Sequence, residues 1–467
     1  MQAAFECYIQ SLLGVLSQVP IGLAVSGGVD SMALSVLTSR WARPREIPLH
    51  AFIIDHGLRA NSAIEQHETA LRLEKMGITP HKLTIDLANV SPSTIETVAR
   101  QQRIDALQTA CRDLGISSIL YGHHKDDQYE TFVMRRTQHS SWYGLAGISP
   151  LSVLDPTSQP PSLSHKPIRT VRPLLTFEKR QLIDICTKTN TQWAQDLSNF
   201  DPSLTLRNAI RKLRSDYSEC LPQALQPQKV WAFQKQCIDR RQKADAEAAA
   251  AVKIYMNDKH LKLDLRRGNV ELTNFDEFKR LSQDTQVSFL MKLVTFATPL
   301  PVRDLGYRRH LVQQFVANGY RKSVIADVLI EYADSKLSLC RSKLRRTNVS
   351  SRRLKDIPPA TVYEATHEWS EWAFIDHRFW FRWRLMDQDP LQSRHLAVYI
   401  TQSDQIKHAQ ALVRKIGEVK YQDCATQPLF VFIGDDPSIT TQVIGYPTLG
   451  LTRELETEYQ YKHIDLA

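Results

Sequence analysis

The sequence predicts an α/β protein, with a doubly wound parallel sheet in the N-terminal part and helical and small α+β regions in the C-terminal part. Three observations predict this class. Apolar runs of strand length alternate with amphipathic runs of helix length up to about residue 137. The first strand ends in two glycines that lead directly into a helix, and beyond Asn208 the alternation gives way to a long polar, Ala-rich stretch. Strict alternation with short connections is typical of a parallel sheet with helices on both faces.

The alternating part begins with a helix over residues 3–17, where apolar side chains recur at helical spacing. Four strands follow, each with its own helix. The predicted strands are 21–25, 48–54, 80–85 and 117–121, and the predicted helices are 30–40, 62–76, 94–114 and 126–137. Gly77 and Gly115 end two of these helices. The Pro/Ser-rich residues 151–168 lack any period, which predicts an exposed loop.

The C-terminal part has a different pattern. We expect a long helix over about 222–253, a hairpin over 261–273, helices over 276–297 and 306–318, strands over 372–385, 396–401 and 429–433, and a helix near 404–417. Together with the chain length, these changes of pattern predict three domains, over residues 1–217, 218–345 and 346–467.

Composition excludes several classes of protein. With 42% hydrophobic and 23% charged residues, the 467-residue chain is an ordinary globular sequence and not a disordered one. A net charge of +9 is consistent with a polyanionic partner or with a merely basic surface. Seven scattered cysteines without a CxxC pair predict reduced thiols in an intracellular protein. We see no membrane-spanning run and no secretory signal, so we expect a soluble protein without a membrane partner. Its compartment would be the cytoplasm or, in a eukaryote, the mitochondrion.

The stretch from Ile21 to Ser31, IGLAVSGGVDS, carries the first candidate site. Adjacent glycines let the backbone approach a ligand closely, and the amide hydrogens of such a loop and of the following helix N-terminus attract phosphate. The sequence therefore predicts a nucleotide site formed by Ser26, Gly27, Gly28, Val29, Asp30 and Ser31. A purely structural turn is the alternative, and the Walker A pattern is absent from the chain.

Polar residues follow the second strand. Asp55 and His56 come where the base and ribose of a nucleotide would lie across the sheet edge. Taken alone, they are explained more simply as an Asx turn with a polar tip.

Acidic residues follow the fourth strand. Asp126, Asp127 and Glu130 fall on neighbouring positions of one helix face, where they would repel one another without a cation. Magnesium prefers such oxygen ligands and bridges phosphates. Zinc bound by His123 and His124 is a competing interpretation, and a solvated acidic helix start is the other.

Six motifs occur in a fixed order between about residues 18 and 215. They are SGGVDS from Ser26, DHGLR from Asp55 with Ser62 soon after, ETVARQQR from Glu96, HHKDDQYET from His123, RPLL from Arg172, and DLSN with RNAIR from Asp196 and Arg207. In this order they resemble the tRNA(Ile)-lysidine synthetases, which are PP-loop ATP pyrophosphatases with a Rossmann-like sheet.

The resemblance implies a two-step ligation that uses ATP and Mg²⁺. In the first step, ATP activates the C2 carbonyl oxygen of the wobble cytidine in the CAU anticodon of an isoleucine tRNA, giving an adenylate and pyrophosphate. In the second step, the amino group of free L-lysine displaces AMP and forms lysidine. Phosphoryl-type transfer depends mainly on positioning and on charge neutralisation.

The resemblance also implies roles for residues. Asp30 and Asp126 are expected near Mg²⁺, and Asp127 and Glu130 are expected to receive the lysine ammonium and its proton, with His123 or His124 assisting. The catalytic set is then Asp30, His123, Asp127, Glu130 and Arg207, and the tRNA or substrate contacts are Arg100, Arg103, Asn199, Asn208 and Arg211. Arg207 and Arg211 lie one helical turn apart, and we expect them either to bind phosphate or to form a solvated basic face.

Two departures from the family pattern raise competing interpretations. Residues 136–147 replace a glycine-containing turn with a longer, bulkier segment, and Tyr129 replaces a usually small residue. A tRNA thiolase of the same class would need CxxC pairs, and an amidotransferase would need a glutaminase domain, but neither is evident. A relative that binds tRNA without modifying it is the alternative outside enzymes.

No family motif matches beyond about residue 220. The basic segment from Arg341 to Lys355 is either a phosphate contact or a linker. The strand Phe379 to Arg384 either stacks nucleic-acid bases or, as we favour, places one aromatic face in a small core.

Overall fold

The computed structural model describes residues 1–14, 19–55, 62–85, 95–154, 167–194, 205–217, 220–300, 302, 305–342, 361–386, 394–400, 427–433, 442–450, 452 and 454–462. The chain divides into two compact units, one formed by residues 1–158 and 165–241 and the other by residues 242–467. Among the described residues, no helix combines the length and the apolar character needed to cross a membrane.

A six-stranded sheet forms the centre of the first unit. Its strands are β1 (Ile21–Val25), β2 (Leu49–Asp55), β3 (Thr79–Thr84), β4 (Ser118–Leu120), β5 (Leu151–Val153) and β6 (Arg169–Val171). Their order is β3-β2-β1-β4-β6-β5, and all neighbours pair in parallel except β5 with β6. The predicted doubly wound parallel sheet is confirmed. The strand order reverses between β1 and β4, and ligands bind such sheets at the carboxyl ends of the strands there.

Helices cover both faces of this sheet. They are α1 (Gln2–Leu13), α2 (Val29–Ala42), α3 (Ser62–Lys75), α4 (Ile95–Asp113), α5 (Lys125–Thr137), α6 (Trp142–Leu145), α7 (Lys179–Lys188) and α8 (Leu206–Asp216). Successive strand residues serve opposite faces, since Leu23 and Ile53 pack with α1, α2 and α7 whereas Phe52 and Ile119 pack with α4. The predicted alternation of strand and helix is confirmed here within a few residues at each boundary.

The prediction of an exposed loop over residues 151–168 is wrong at both ends. Leu151–Val153 pair with β6 as an edge strand, and Ile168 is buried in the core. All three side chains of this edge strand are exposed, including the two apolar ones. Buried and exposed side chains therefore do not alternate along it, and that alternation is the pattern from which a strand is predicted. Residues 155–166 lie outside the described residues.

In the described part of the second unit, three antiparallel sheets share one hydrophobic core. Its helices are α9 (Pro227–Asn257), which begins in the first unit, α10 (Phe275–Lys279), α11 (Gln283–Ala297) and α12 (Arg309–Ala317). Its strands are β7 (Leu261–Asp264), β8 (Asn269–Leu272), β9 (Ser323–Ile325), β10 (Val328–Ala333), β11 (Lys336–Arg341), β12 (Thr361–Ala365), β13 (Ala373–Ile375), β14 (Phe379–Leu385), β15 (Arg394–Ile400), β16 (Pro428–Ile433), β17 (Gln442–Gly445) and β18 (Leu455–Tyr461). The sheet orders are β7-β8-β11-β10-β9, β12-β15-β16-β17 and β13-β14-β18.

Several predicted elements of the second unit differ from the structure. The helix predicted over 276–297 is interrupted before Ser282, because the Ser282 hydroxyl accepts a hydrogen bond from the Thr285 amide and starts α11 as a new helix. The strand predicted over 372–385 is the hairpin of β13 and β14, and it turns through Asp376 and His377 with positive φ angles. The predicted helix near 404–417 lies outside the described residues.

The first unit extends beyond the boundary predicted at residue 217. Val230 and Cys237 of α9 pack with Tyr129 of α5 and Ile210 of α8 in one apolar cluster. This packing keeps residues up to Arg241 with the first unit. The boundary predicted at residue 345 lies outside the described residues, and the three-domain division stays a prediction.

The two open interpretations of the C-terminal part have different outcomes. On β14, Phe379, Phe381 and Trp383 are buried in the core of the second unit, so the amphipathic-strand interpretation is confirmed. Arg341 is also buried and its guanidinium lies 2.8 Å from the Asp376 carboxylate, so it is no phosphate contact. The rest of the basic segment, from residue 343, lies outside the described residues.

Candidate active site

The glycine loop lies at the carboxyl end of β1, beside the reversal of strand order. Gly27 has a φ angle of +80°, and a Cβ there would lie 2.7 Å from Oγ1 of Thr69, so only glycine fits without strain. Gly28 is the N-cap of α2, and among the described residues no side chain caps that helix. The first-turn amide hydrogens of α2 are therefore left for an anionic ligand.

The loop after β4 packs against the glycine loop. A Cβ at Gly122 would lie 3.2 Å from the carbonyl group of Asp30, so the two backbones approach closely here. His124 then caps α5, where its amide donates to Oδ2 of Asp127 at 2.9 Å. This arrangement brings the predicted residues Asp30, Asp126 and Asp127 together, because the His124 ring lies within 3.6 Å of all three carboxylates.

His124 is the central group of this cluster and only 2% exposed. In its neutral form, Nδ1 accepts a hydrogen bond from the Asp126 amide at 3.2 Å; in its protonated form, the same nitrogen faces the Asp126 carboxylate at 3.5 Å. Burial lowers the pKa of His124, but hydrogen bonds to Asp126 and Asp30 and the nearby Asp127 charge outweigh burial and raise it to about 9. The ring can therefore serve as a buried cation among carboxylates at neutral pH.

Lys179, the first residue of α7, joins the glycine loop to α5. Its amide donates to Oδ2 of Asp126 at 2.6 Å, and its ammonium lies 3.4 Å from Oδ2 of Asp30. Burial alone would raise the pKa values of both carboxyl groups. The contacts with His124 and Lys179 reverse this, so both pKa values are lowered, that of Asp126 strongly.

A row of three arginines on α8 faces the carboxylates of α5. Arg211 holds Glu130 with two hydrogen bonds, from Nε to Oε1 at 2.6 Å and from one terminal nitrogen to Oε2 at 3.1 Å. Arg207 lies 3.3 Å from the same Oε2, and Arg214 forms an ion pair with Asp126. Positions 207, 211 and 214 follow the helical repeat, so one face of α8 supplies all three guanidinium groups.

This row changes the expected position of Glu130. The Glu130 side chain is 3% exposed, and both of its oxygens already contact arginine. Burial raises the pKa of Glu130 and outweighs the opposing effect of Arg211 and Arg207. In this structure Glu130 is a buried counter-ion for arginine, and its expected contact with a lysine ammonium stays a prediction.

A second cationic group surrounds the end of β4. The Arg172 guanidinium lies over the Tyr121 ring at 5.9 Å, and Arg100 and Arg103 of α4 are close enough to influence the Tyr121 hydroxyl. The His123 ring stacks on Tyr121 with centroids 6.0 Å apart. Burial lowers the pKa of His123 to about 4, so this ring is neutral at physiological pH. The predicted residues Arg100, Arg103 and His123 therefore lie on one side of the site.

The predicted magnesium ligands fit unequally. Among the described residues, no group of three or more His, Cys, Asp or Glu side chains is arranged to hold a metal ion. Oδ1 of Asp30 is buried and forms no close hydrogen bond, but Nε2 of His124 lies 3.5 Å from it, so a cation bound there would share this oxygen with the His124 ring. Both Asp126 oxygens are already engaged, by Arg214 and by the Lys179 amide, so Asp126 does not fit as a ligand in this arrangement.

Other predicted site residues have different outcomes. Asn208 is buried in the first turn of α8, and its backbone amide donates to the Thr205 hydroxyl at 3.1 Å. The Asp55 side chain, His56 and Asn199 lie outside the described part of the structure.

Sequence reasoning missed Lys179, Arg214 and Trp231. The Lys125 ammonium lies 3.7 Å from the centroid of the Trp231 ring, and the Arg214 guanidinium lies 5.8 Å from it. The helical spacing of RNAIRKLR could have revealed Arg214, whereas nothing in the sequence brings residue 179 or 231 to this site.

The two departures from the family pattern are well packed. Tyr129 is buried, and its hydroxyl donates to the Leu225 carbonyl at 2.7 Å, which anchors the chain before α9. Arg135, just before the segment 136–147, donates hydrogen bonds to the carbonyls of Gly144 and Gly147 inside it. Gln128 and Ile148 exchange two hydrogen bonds of 2.8 Å, so the segment is held at both ends.

Comparison with known proteins identifies relatives of the chain. Residues 1–215 match the family of PP-loop domains. The chain is 37% identical over 221 residues to the tRNA(Ile)-lysidine synthase of Hyphomonas neptunium, covering 47% of this chain and 58% of that protein. It is 29% identical over 379 residues to the probable tRNA(Ile)-lysidine synthase of Schizosaccharomyces pombe, covering 78% of this chain and 77% of that protein.

A third relative is the tRNA(Ile)-lysidine synthase of Rickettsia bellii, 31% identical over 208 residues, or 44% of this chain and 45% of that protein. The chain therefore spans less than two thirds of the length of these two bacterial relatives. The resemblance inferred from the six motifs is confirmed.

Proposed function

We propose that the protein, whose residues 1–215 match the family of PP-loop domains, is an ATP-dependent tRNA ligase. It joins free lysine to C2 of the wobble cytidine in the CAU anticodon of an isoleucine tRNA and forms lysidine. One observation carries the proposal. At the switch point of the sheet, the Asp30 carboxylate beside the glycine loop faces Lys179 of α7, and Arg207 and Arg214 of α8 face carboxylates of α5, each pair within 4 Å.

In the first step, the C2 oxygen of cytidine bonds to the α-phosphorus of ATP, and the bond from that phosphorus to the bridging oxygen breaks to release pyrophosphate. The loop amides and the N-terminus of α2 hold the phosphates. Asp30 is the proposed carboxylate ligand for Mg²⁺ through Oδ1, which faces the His124 ring at 3.5 Å, and bound Mg²⁺ would neutralise phosphate charge. Arg207, whose side chain is 40% exposed, is the arginine of the α8 row best placed to turn towards phosphate.

In the second step, the lysine amino nitrogen bonds to C2, and the bond from C2 to oxygen breaks so that AMP leaves with that oxygen. The amino group must lose a proton as the bond forms. We propose that the Asp127 carboxylate accepts this proton, assisted by the neutral ring of His123. Glu130 remains the partner of Arg211, which keeps the α8 row in place.

The remaining cations suit the tRNA backbone. Arg100 and Arg103 lie on α4 beside Tyr121, on the side of the site where His123 is found. We propose that they contact phosphates near the anticodon. The described parts of residues 218–467 are proposed to help hold the tRNA, as a helical and a mixed α/β region.

Pyrophosphate release tests the first step separately from the second. The full chain with ATP, Mg²⁺ and a transcript bearing CAU should release pyrophosphate without lysine, and it should release AMP only when lysine is added. Asp30→Asn should lower release at least a hundredfold, whereas the exposed Asp113→Asn at the end of α4 should leave it unchanged. Release that ignores the transcript, or that survives Asp30→Asn, would contradict the proposal.

A further inference from the structure

A surface beside the site combines aromatic rings with arginines. Trp142 and Tyr143 open α6, with ring centroids 5.6 Å apart and the planes at 71°. The Arg240 guanidinium lies 4.2 Å from the centroid of Trp142, and the Arg241 guanidinium lies 5.7 Å from that of Tyr143. Both rings are half-buried, and Arg240 is exposed. We call these four residues the α6 platform.

The platform is rigid at its base. One side of Trp142 packs against the apolar cluster of Tyr129, Val230 and Cys237. Arg241 donates to the Gly147 carbonyl at 3.1 Å, and so does Arg135 at the same distance. The rings are therefore held in place before any ligand arrives, which lowers the entropic cost of binding.

The platform lies within a few nucleotides of the proposed reaction. Helix α5 carries Asp127 in its first turn and ends at Thr137, five residues before Trp142. Ten residues of helix at 1.5 Å each give about 15 Å between these ends. The chain then returns, because Trp142 packs against the apolar cluster that contains Tyr129, two residues after Asp127. Nucleotides next to a base held at Asp127 therefore come within reach of the platform.

We propose that the α6 platform stacks unpaired RNA bases next to the reacting nucleotide, an inference that rests on the proposed function. Aromatic rings and guanidinium planes are the groups on which proteins stack the splayed bases of RNA loops. A guanidinium lying on a tryptophan ring presents a second flat, cationic face outward. Arg136, exposed in the last turn of α5, adds positive charge for the connecting phosphates.

The test is binding of a fluorescent RNA hairpin that carries the CAU anticodon loop, followed by anisotropy. Loss of one stacking ring, in Trp142→Ala or Tyr143→Ala, should raise Kd about tenfold. Trp142→Phe and Tyr143→Phe keep a ring and should stay within about threefold of wild type. Arg240→Lys keeps the charge but loses the plane, so it should also weaken binding.

Two controls separate stacking from other effects. Tyr8→Ala removes a half-buried aromatic ring from α1, a helix with no assigned role in binding, and it should not change Kd. A fully paired RNA duplex offers no unpaired base, so its affinity should be equal for wild type and the alanine variants.

The outcomes are distinguishable from those of the proposed function. Equal hairpin affinity of wild type and both alanine variants, or equal losses for phenylalanine and alanine, would overturn the platform. If an alanine variant does not fold, the hairpin affinity of Arg240→Lys decides whether the platform stacks bases. A wild type that binds the hairpin but attaches no lysine would refute the proposed function, and the platform would still be decided by the alanine and phenylalanine comparison. A wild type that binds no hairpin would overturn the platform, whereas the proposed function is decided by attachment of lysine to the full CAU transcript.

Discussion

Removal of Arg211 should destabilise the first unit because it leaves a buried carboxylate poorly paired. Glu130 is 3% exposed and takes two hydrogen bonds from Arg211, at 2.6 and 3.1 Å. Breaking a buried ion pair from one side costs about 3–5 kcal/mol. Arg211 is one-third exposed and Arg207 remains 3.3 Å from Glu130, so Arg211→Gln belongs below that range, at about 2–3 kcal/mol.

The matching change, Glu130→Gln, leaves Arg211 near a second carboxylate, since Asp127 lies 3.7 Å away. We expect a loss of about 1–2 kcal/mol for this variant. The double variant should lose less than the sum of the two single losses, by about 1 kcal/mol or more, because the two side chains contact each other directly. Arg180→Gln, at an arginine whose side chain is 85% exposed, is the matched control and should change stability by less than about 0.5 kcal/mol.

Urea denaturation followed by far-ultraviolet circular dichroism measures these free energies of unfolding. If the double variant lost as much free energy of unfolding as the two single variants together, a stabilising interaction between Arg211 and Glu130 would be refuted. The same set of variants also tests the role of Glu130 in the reaction. A folded Glu130→Gln protein should keep pyrophosphate release within about threefold if Glu130 acts as the partner of Arg211. A loss of a hundredfold or more, with the fold intact, would restore the direct role predicted from the sequence.

Two further predictions concern the glycine loop and a buried lysine. Gly27→Ala should destabilise the protein by about 2–4 kcal/mol and weaken ATP binding, because φ is +80° and the new Cβ meets Oγ1 of Thr69. Adding Thr69→Ser should not restore stability, because the hydroxyl oxygen remains. Adding Thr69→Ala removes that oxygen and should restore part of the lost stability, as measured by urea denaturation. Burial, assisted by Arg378, lowers the pKa of Lys462 to about 7, and its ammonium donates to the Thr298 carbonyl at 2.7 Å. The unfolded chain thus binds more protons than the folded one between pH 7 and the ordinary lysine pKa, so the free energy of unfolding should rise with pH by about 1 kcal/mol per unit from 7 to 9. In Lys462→Met this rise should be smaller; an unchanged slope in urea denaturation would contradict the assignment.

The sequence was sufficient for the sheet and the glycine loop because local signals specify both. Strand-length apolar runs and Gly27-Gly28 determine β1, the loop and the start of α2 within a few residues. The carboxylates of α5 were also predicted, since helical spacing brings Asp126, Asp127 and Glu130 to one end of a helix.

The pairing of those carboxylates could not be predicted. Glu130 meets Arg211, which is 81 residues away in sequence, and Asp126 meets the Lys179 amide, which is 53 residues away. Such contacts depend on how α7 and α8 pack against α5, and no local pattern specifies that packing. The same limit explains why β5 and the buried state of Arg341 were missed, because an exposed edge strand and a charged strand end both lack a periodic signal.

Attachment of radiolabelled lysine to tRNA is the measurement that decides whether the protein is a lysine ligase. The full chain is incubated with ATP, Mg²⁺ and labelled lysine, and with isoleucine tRNA transcripts that differ only in bearing CAU or GAU. We expect label on the CAU transcript alone, and only in the presence of ATP. Label on both transcripts would contradict the specificity for the wobble cytidine. No label on either, despite binding of the CAU transcript, would contradict the ligase and favour a protein that binds tRNA without modifying it.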